Sequence, residues 1–202
     1  MSFLKPETAS QTAGPYVHIG CTPNHAGVVG VYDKDLGKLV KDKNIEGEQI
    51  TIKGAVFDGY GEPLCDAMIE IWQADAKGVY NSHHKSDEKK NTSFTGWGRC
   101  ASDMKTGEFV FETIKPGKVV DASAKLHAPH ITFWIVARGI NLGLHTRLYF
   151  SDEEDANSTD PILSSITDKK RIPTLIAKLT KAGIYQFDIH LQGAKETIFL
   201  DI

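Results

Sequence analysis

Between Gln49 and Phe57 apolar and polar side chains nearly alternate, β-branched residues dominate, and the run stops at Asp58-Gly59-Tyr60-Gly61-Glu62-Pro63. A period of two sends successive side chains to opposite faces, which a half-buried strand accommodates and a helix does not. The same texture recurs in Ala67 to Gln73, Trp97 to Ser102 and Glu108 to Ile114, the last ending at Lys115-Pro116-Gly117. His130 to Arg138 is more continuously apolar and reads as a central strand buried on both faces, with Thr146 to Phe150 after it. Ile184 to Leu191 and Glu196 to Leu200 restore the alternation near the end. Roughly seven short strands between turn signals predict a mainly β fold, a two-sheet β-sandwich. Ile172, Leu175, Ile176 and Leu179 recur at helical spacing around Pro173, which predicts one short late helix. Residues 1–45 lack a sustained period and read as an extended N-terminal arm, leaving 46–202 as the sandwich domain.

Composition narrows the function. Twenty-three basic and 26 acidic residues give a formal net charge of -3 with no long run of either sign, so nucleic acid and an anionic membrane surface find no footprint. No stretch approaches the ~18 apolar residues a membrane span requires, and Met1-Ser2-Phe3-Leu4-Lys5-Pro6 has none of the texture of a secretory leader. Cys21, Cys65 and Cys100 are odd in number and widely spaced, matching neither a disulfide framework nor a zinc site, and a reducing cytoplasm is the expected location. Gly59-Tyr60-Gly61 has no helix after it, which argues against a dinucleotide loop.

The reactive inventory is histidine, tyrosine, arginine and carboxylate. His127 and His130 flank Ala128-Pro129 at the entry to the apolar strand, where they suit either a first-row metal or hydrogen bonds to backbone. His83 and His84 are adjacent, so their side chains diverge on an extended segment, and they read as a solvated loop. His145 and His190 read as partly buried structural residues, and Asp152-Glu153-Glu154-Asp155 as a solvated turn. No serine or cysteine has the setting of a nucleophile. Arg99, Arg138 and Arg147 are notable in a chain that prefers lysine. Arg138, closing the apolar strand, fits a fork for a carboxylate ligand or an ordinary ion pair.

Ile69-Glu70-Ile71-Trp72-Gln73-Ala74-Asp75, Gly78-Val79-Tyr80, Thr113-Ile114-Lys115-Pro116-Gly117 and Ala128-Pro129-His130-Ile131-Thr132-Phe133 occur in the order found in intradiol ring-cleavage dioxygenases. Gln11 to Gly20, Ala137 to Asn141 and His145 to Phe150 further resemble the alpha chains of the two-chain members that cleave protocatechuate. The resemblance covers nearly the whole length and implies the same sandwich. It also implies a non-haem Fe(III) chemistry in which two tyrosines and two histidines hold the metal and O2 attacks a chelated catecholate, part of aromatic catabolism through the beta-ketoadipate pathway. The family's first tyrosine falls on Tyr80 and its second on Val119. Its first histidine falls on His130 and its second on Thr132. His127 stands where iron-bearing chains have an arginine. The resemblance therefore implies an iron-free alpha-type chain that supplies no catalytic or metal ligand, Fe(III) being bound by a beta subunit. It assigns Arg138 to the carboxylate of protocatechuate and Thr12, Gly14, Pro15 and Tyr16 to the pocket wall. Two rivals remain: a non-enzymatic sandwich that serves in binding or assembly, and an iron-binding chain with substitute ligands such as His127 or His83.

Overall fold

A computed structural model of the chain describes residues 14–41, 45–81 and 94–201, so Thr12, His83 and His84 lie outside the described residues. A short helix α1 (Val17–Cys21) precedes strands β1 (Gln49–Phe57), β2 (Met68–Gln73), β3 (Trp97–Ala101) and β4 (Glu108–Ile114). After the small ribbon of β5 (Val119–Val120) and β6 (Leu126–His127) come β7 (His130–Val136) and β8 (Leu144–Phe150). Helices α2 (Glu154–Thr159) and α3 (Pro161–Ser165), a 3-10 segment (Lys169–Leu175), and strands β9 (Ile176–Lys181), β10 (Ile184–Gln186) and β11 (Ile189–His190) complete the order.

The strands form two packed layers, as the alternation predicts. One runs β3-β2-β7-β8, all antiparallel, and the other is built on β1, flanked by β4 on one side and by β10 and β11 on the other. The first half of β9 pairs with β8 (Tyr149 with Ile176, Phe150 with Ala177) and its second half with β10, which joins the layers into one hydrogen-bonded path. Inward positions of β1 and β4 (Ile52, Val56, Phe109, Phe111) meet those of β2 and β7 (Ile69, Ile71, Phe133, Ile135), all buried in a common core. Phe133 sits at its centre, with ring centroids 6.0, 6.3 and 5.2 Å from Phe109, Phe111 and Phe187. The arm is not separate from this core, since Val40 is buried within it and Lys41 bridges to Phe94.

Three local readings differ from the structure. The expected late helix is a 3-10 segment that stops at Leu175, because Pro173 lies inside it and Ile176 and Ala177 are taken up by β8 as strand partners. The acidic stretch Asp152–Asp155 leads into α2 instead of remaining a turn, and α3 follows directly, with Asp160 as its N-cap accepting from the amides of Ile162 and Leu163 and Pro161 in the first turn. Residues 196–200 are irregular; Thr197 and Leu200 donate single backbone hydrogen bonds to His190 and His145 without forming a ladder. Among the described residues no helix is long and apolar enough to cross a membrane.

Candidate functional site

The outward positions of the β3-β2-β7-β8 layer line up in register. Trp97 stands opposite Trp72, Trp72 opposite Thr132 and Thr132 opposite Arg147. Tyr80 comes to this row from the Asp75–Val79 turn, stacked on Trp72 with ring centroids 5.9 Å apart and planes 8° from parallel. That turn is pinned by Asp75, whose carboxylate accepts from the amides of Lys77 and Val79. Gly78 has φ +78°, and a Cβ there would run into the carbonyl oxygen of Lys118, so only glycine lets the two loops close on one another.

Four residues carried over from the resemblance come together here. The Tyr80 hydroxyl is 3.3 Å from His130 Nε2, and His130 Nδ1 is 2.7 Å from the carbonyl of Ala128. The carbonyl can only accept, so Nδ1 carries the ring hydrogen and Nε2 accepts from the phenol. Val119 pairs with His127 in the β5-β6 ribbon, and Thr132 lies on the strand that His130 begins. His127 Nε2 contacts Asp121 Oδ2 at 3.2 Å, and its Nδ1 is 3.3 Å from Arg147 Nη1. Asp160 lies beneath, fully buried, accepting from the Ala128 amide and the Tyr149 hydroxyl as well as from α3.

Burial dominates the electrostatics. It pushes His130 down to about 4, assisted by the positive charge of Arg147, and the Ala128 carbonyl opposes the shift only in part. Burial raises the Tyr80 phenol, and Arg147 offsets part of that rise. As a ferric site the cluster does not fit: valine has no donor atom, threonine is a weak neutral donor, and a guanidinium stands among the remaining rings. Among the described residues no group of three or more His, Cys, Asp and Glu is arranged to hold a metal ion.

Arg138 belongs to a second place. It follows β7 at the end opposite His130, and eight residues of roughly 3.3 Å each put the two about 26 Å apart along the chain. Its Nε lies 2.5 Å from Asp66 Oδ2; the Asp66 side chain is buried, whereas that of Arg138 is 61% exposed. The pairing continues the β2-β7 register, in which Met68 faces Val136. The same carboxylate acts electrostatically on His18 of α1, a buried imidazole whose burial holds its pKa below the ordinary value. Gly14, Pro15 and Tyr16 thus lead into a helix anchored beside the Asp66–Arg138 pair, with Tyr16 75% exposed. Arg138 also lines a cleft of about 560 Å³ with Leu64, Ile140, Leu142 and Leu191.

Sequence reading missed three of these residues. Asp160 had a legible signal, an aspartate directly before a proline and an apolar turn, which is an N-cap signature. Asp66 had none, because its importance comes from strand register. Arg147 reads from the sequence only as an arginine in a chain that prefers lysine, and its place among the rings depends on lying opposite Thr132. His190 is structural as expected, stacked on Phe57 with centroids 4.8 Å apart. His145 faces Trp134 across the strands.

Comparisons with known proteins identify the family. The profile of the Dioxygenase family matches residues 22–193. The chain is 43% identical to a protocatechuate 3,4-dioxygenase alpha chain from Pseudomonas putida over 98% of each chain. It is 33% identical to a protocatechuate 3,4-dioxygenase beta chain from Burkholderia cepacia over 84% of this chain and 75% of the other. Among solved structures, the dioxygenase domain of a carbohydrate-binding fusion from Streptomyces sp. SirexAA-E superposes with a TM-score of 0.56 at 26% identity, covering 82% of this chain and 96% of that one. With both layers in place and family similarity running through nearly the whole sequence, the chain belongs to the intradiol ring-cleavage dioxygenases.

Proposed function

We propose that this chain is the iron-free alpha-type subunit of a protocatechuate-cleaving intradiol dioxygenase. A beta subunit binds the non-haem Fe(III), and the pair cleaves 3,4-dihydroxybenzoate with O2 between its hydroxyls. Both oxygen atoms enter the product, 3-carboxy-cis,cis-muconate. The observation that carries the reading is the separation of two places on one chain. The Tyr80 and His130 cluster lacks a ferric donor set, while Arg138 and the arm converge on Asp66 at the far end of β7. An arginine so far from its own chain's remnant site is useful to a substrate held by another chain, and Gly14, with exposed Pro15 and Tyr16, leads directly into α1. Arg138 neutralises the substrate carboxylate through the guanidinium edge left free by Asp66, and Gly14, Pro15 and Tyr16 wall the pocket.

Two measurements test this. The purified chain should hold far less than one iron per chain and show no red tyrosinate-to-ferric colour; stoichiometric ferric iron would overturn the reading. In the reconstituted alpha-beta enzyme, Arg138→Ala should raise KM for protocatechuate by roughly tenfold or more, the loss of one charge-assisted contact, and leave catechol little affected. Equal losses for the two substrates would make Arg138 merely structural and favour a scaffold or assembly role for this chain.

A further inference from the structure

Arg147 is unusual for a half-buried arginine: among the described residues no carboxylate stands within ion-pair distance of its guanidinium, and its Nε is sealed from solvent without a hydrogen-bond partner. Its company is a set of rings. Nη1 is 3.3 Å from His127 Nδ1, and its charge acts on Tyr80, His130 and Tyr149. Imidazole and phenol are the donor types that hold ferric iron in this family, and here they surround an organic cation.

We infer that the guanidinium of Arg147 takes over, inside this chain, the charge that a metal ion carries in iron-bearing relatives, and that it bars iron even where the missing donors are restored. This rests on the iron-free reading above and extends it from missing ligands to a resident competitor. Arg147 lies directly opposite Thr132, and facing side chains on paired strands have Cβ atoms only ~5 Å apart. A short threonine leaves room for the arginine stem, whereas a histidine would contend for the same space. Arginine also keeps its proton at any pH a protein survives, so the charge cannot be shed to admit a cation. A trivalent ion placed among Tyr80, His130 and restored donors would sit beside a fixed positive charge in a dry environment, where like charges repel far more strongly than in water. Fully buried Asp160, 3.5 Å from His127 Nδ1, supplies negative charge behind the cluster, which an organic cation balances without a metal.

The test compares two variants of the full chain, each exposed to ferrous iron in air and then freed of loose metal. Val119→Tyr with Thr132→His restores the donors and keeps Arg147; a second variant adds Arg147→Gln. Circular dichroism and a cooperative melting transition check that both fold, and Arg147→Met replaces Arg147→Gln should the latter not melt cooperatively. Iron per chain and the visible tyrosinate-to-ferric band are read together. The inference expects at least roughly tenfold more iron in the variant without the arginine, with the band appearing only there. Equal iron in the two folded variants, whether full or absent, overturns it and leaves the iron-free reading standing. Stoichiometric iron in the unmodified chain overturns both.

Discussion

Two buried carboxylates, Asp66 and Asp160, do different work. Asp160 is a hub with four donors pointed at it, from the amides of Ala128, Ile162 and Leu163 and from the Tyr149 hydroxyl. Asp160→Ala strands these donors in a dry place, and a loss of about 3 kcal/mol in urea unfolding is expected. Asp66 instead has, among the described residues, one ion-pair partner, the Nε of Arg138. If its task is to aim that arginine, Asp66→Asn in the alpha-beta enzyme raises KM for protocatechuate roughly threefold to tenfold with kcat nearly unchanged, less than Arg138→Ala does. A KM equal to that of the unmodified enzyme, with Arg138→Ala still impaired, shows that the arginine needs no such support. Sequence legibility at this scale follows locality. Tyr80 and His130 each sit in a contiguous motif, and the fold sets them 3.3 Å apart; Asp160 is marked by the proline behind it. Asp66 and Arg147 owe their places to residues more than a dozen positions away, Arg138 and Thr132, and nothing in their own neighbourhoods shows it.

At the scale of elements, loops carry the site and two local devices hold them. The Gly78 turn presents Tyr80 and has no room for a side chain against the Lys118 carbonyl. Gly78→Ala combines that collision with a left-handed backbone, and a cost of at least about 2 kcal/mol is expected together with loss of the ordered Tyr80 environment, seen in near-ultraviolet circular dichroism. The second device ties the Lys115-Pro116-Gly117 turn to the start of α2. Lys115 Nζ lies 2.7 Å from Asp152 and 2.7 Å from Glu153, and Tyr185 donates to Asp152 at 2.9 Å. Burial alone would raise the Asp152 carboxyl, but Lys115 and Tyr185 together hold it below its ordinary value. Its ionised form is therefore the one that folding favours. That contribution is complete above the unfolded carboxylate value of about 4 and drains away as pH falls through the lower folded value. Asp152→Asn should lower Tm near neutral pH and make little difference near about pH 2. Read from sequence, Asp152–Asp155 is a solvated turn, because a cluster of acids shows no partner until folding brings Lys115 to it. The late helix is misread for a related reason. Ile172, Leu175, Ile176 and Leu179 fit a helical stripe, yet β8 offers Ile176 and Ala177 an open edge, and tertiary pairing overrides local period.

Over the whole molecule, the layered β architecture is the most legible property, since near-alternation in β1 and β4 leaves few other ways to bury one face. Phe133, ringed by Phe109, Phe111 and Phe187, is the common contact of both layers. Phe133→Ala is expected to cost about 3–5 kcal/mol in chemical unfolding, the range for deleting a buried aromatic ring. What alternation does not reveal is which strands sit at the borders of each layer, and β9 decides that. By pairing first with β8 and then with β10, it makes the two layers a book bound along one spine. Thermal breathing then has a direction. The bound side can open only by breaking ladder hydrogen bonds, so the pages part at the fore-edge, where β3 and β4 meet over Val40 and Phe111 without a shared ladder. Amides of Ile176 and Ala177, held in the β8-β9 pairing, should exchange with deuterated water later than those of β3, which should be among the first of the strands.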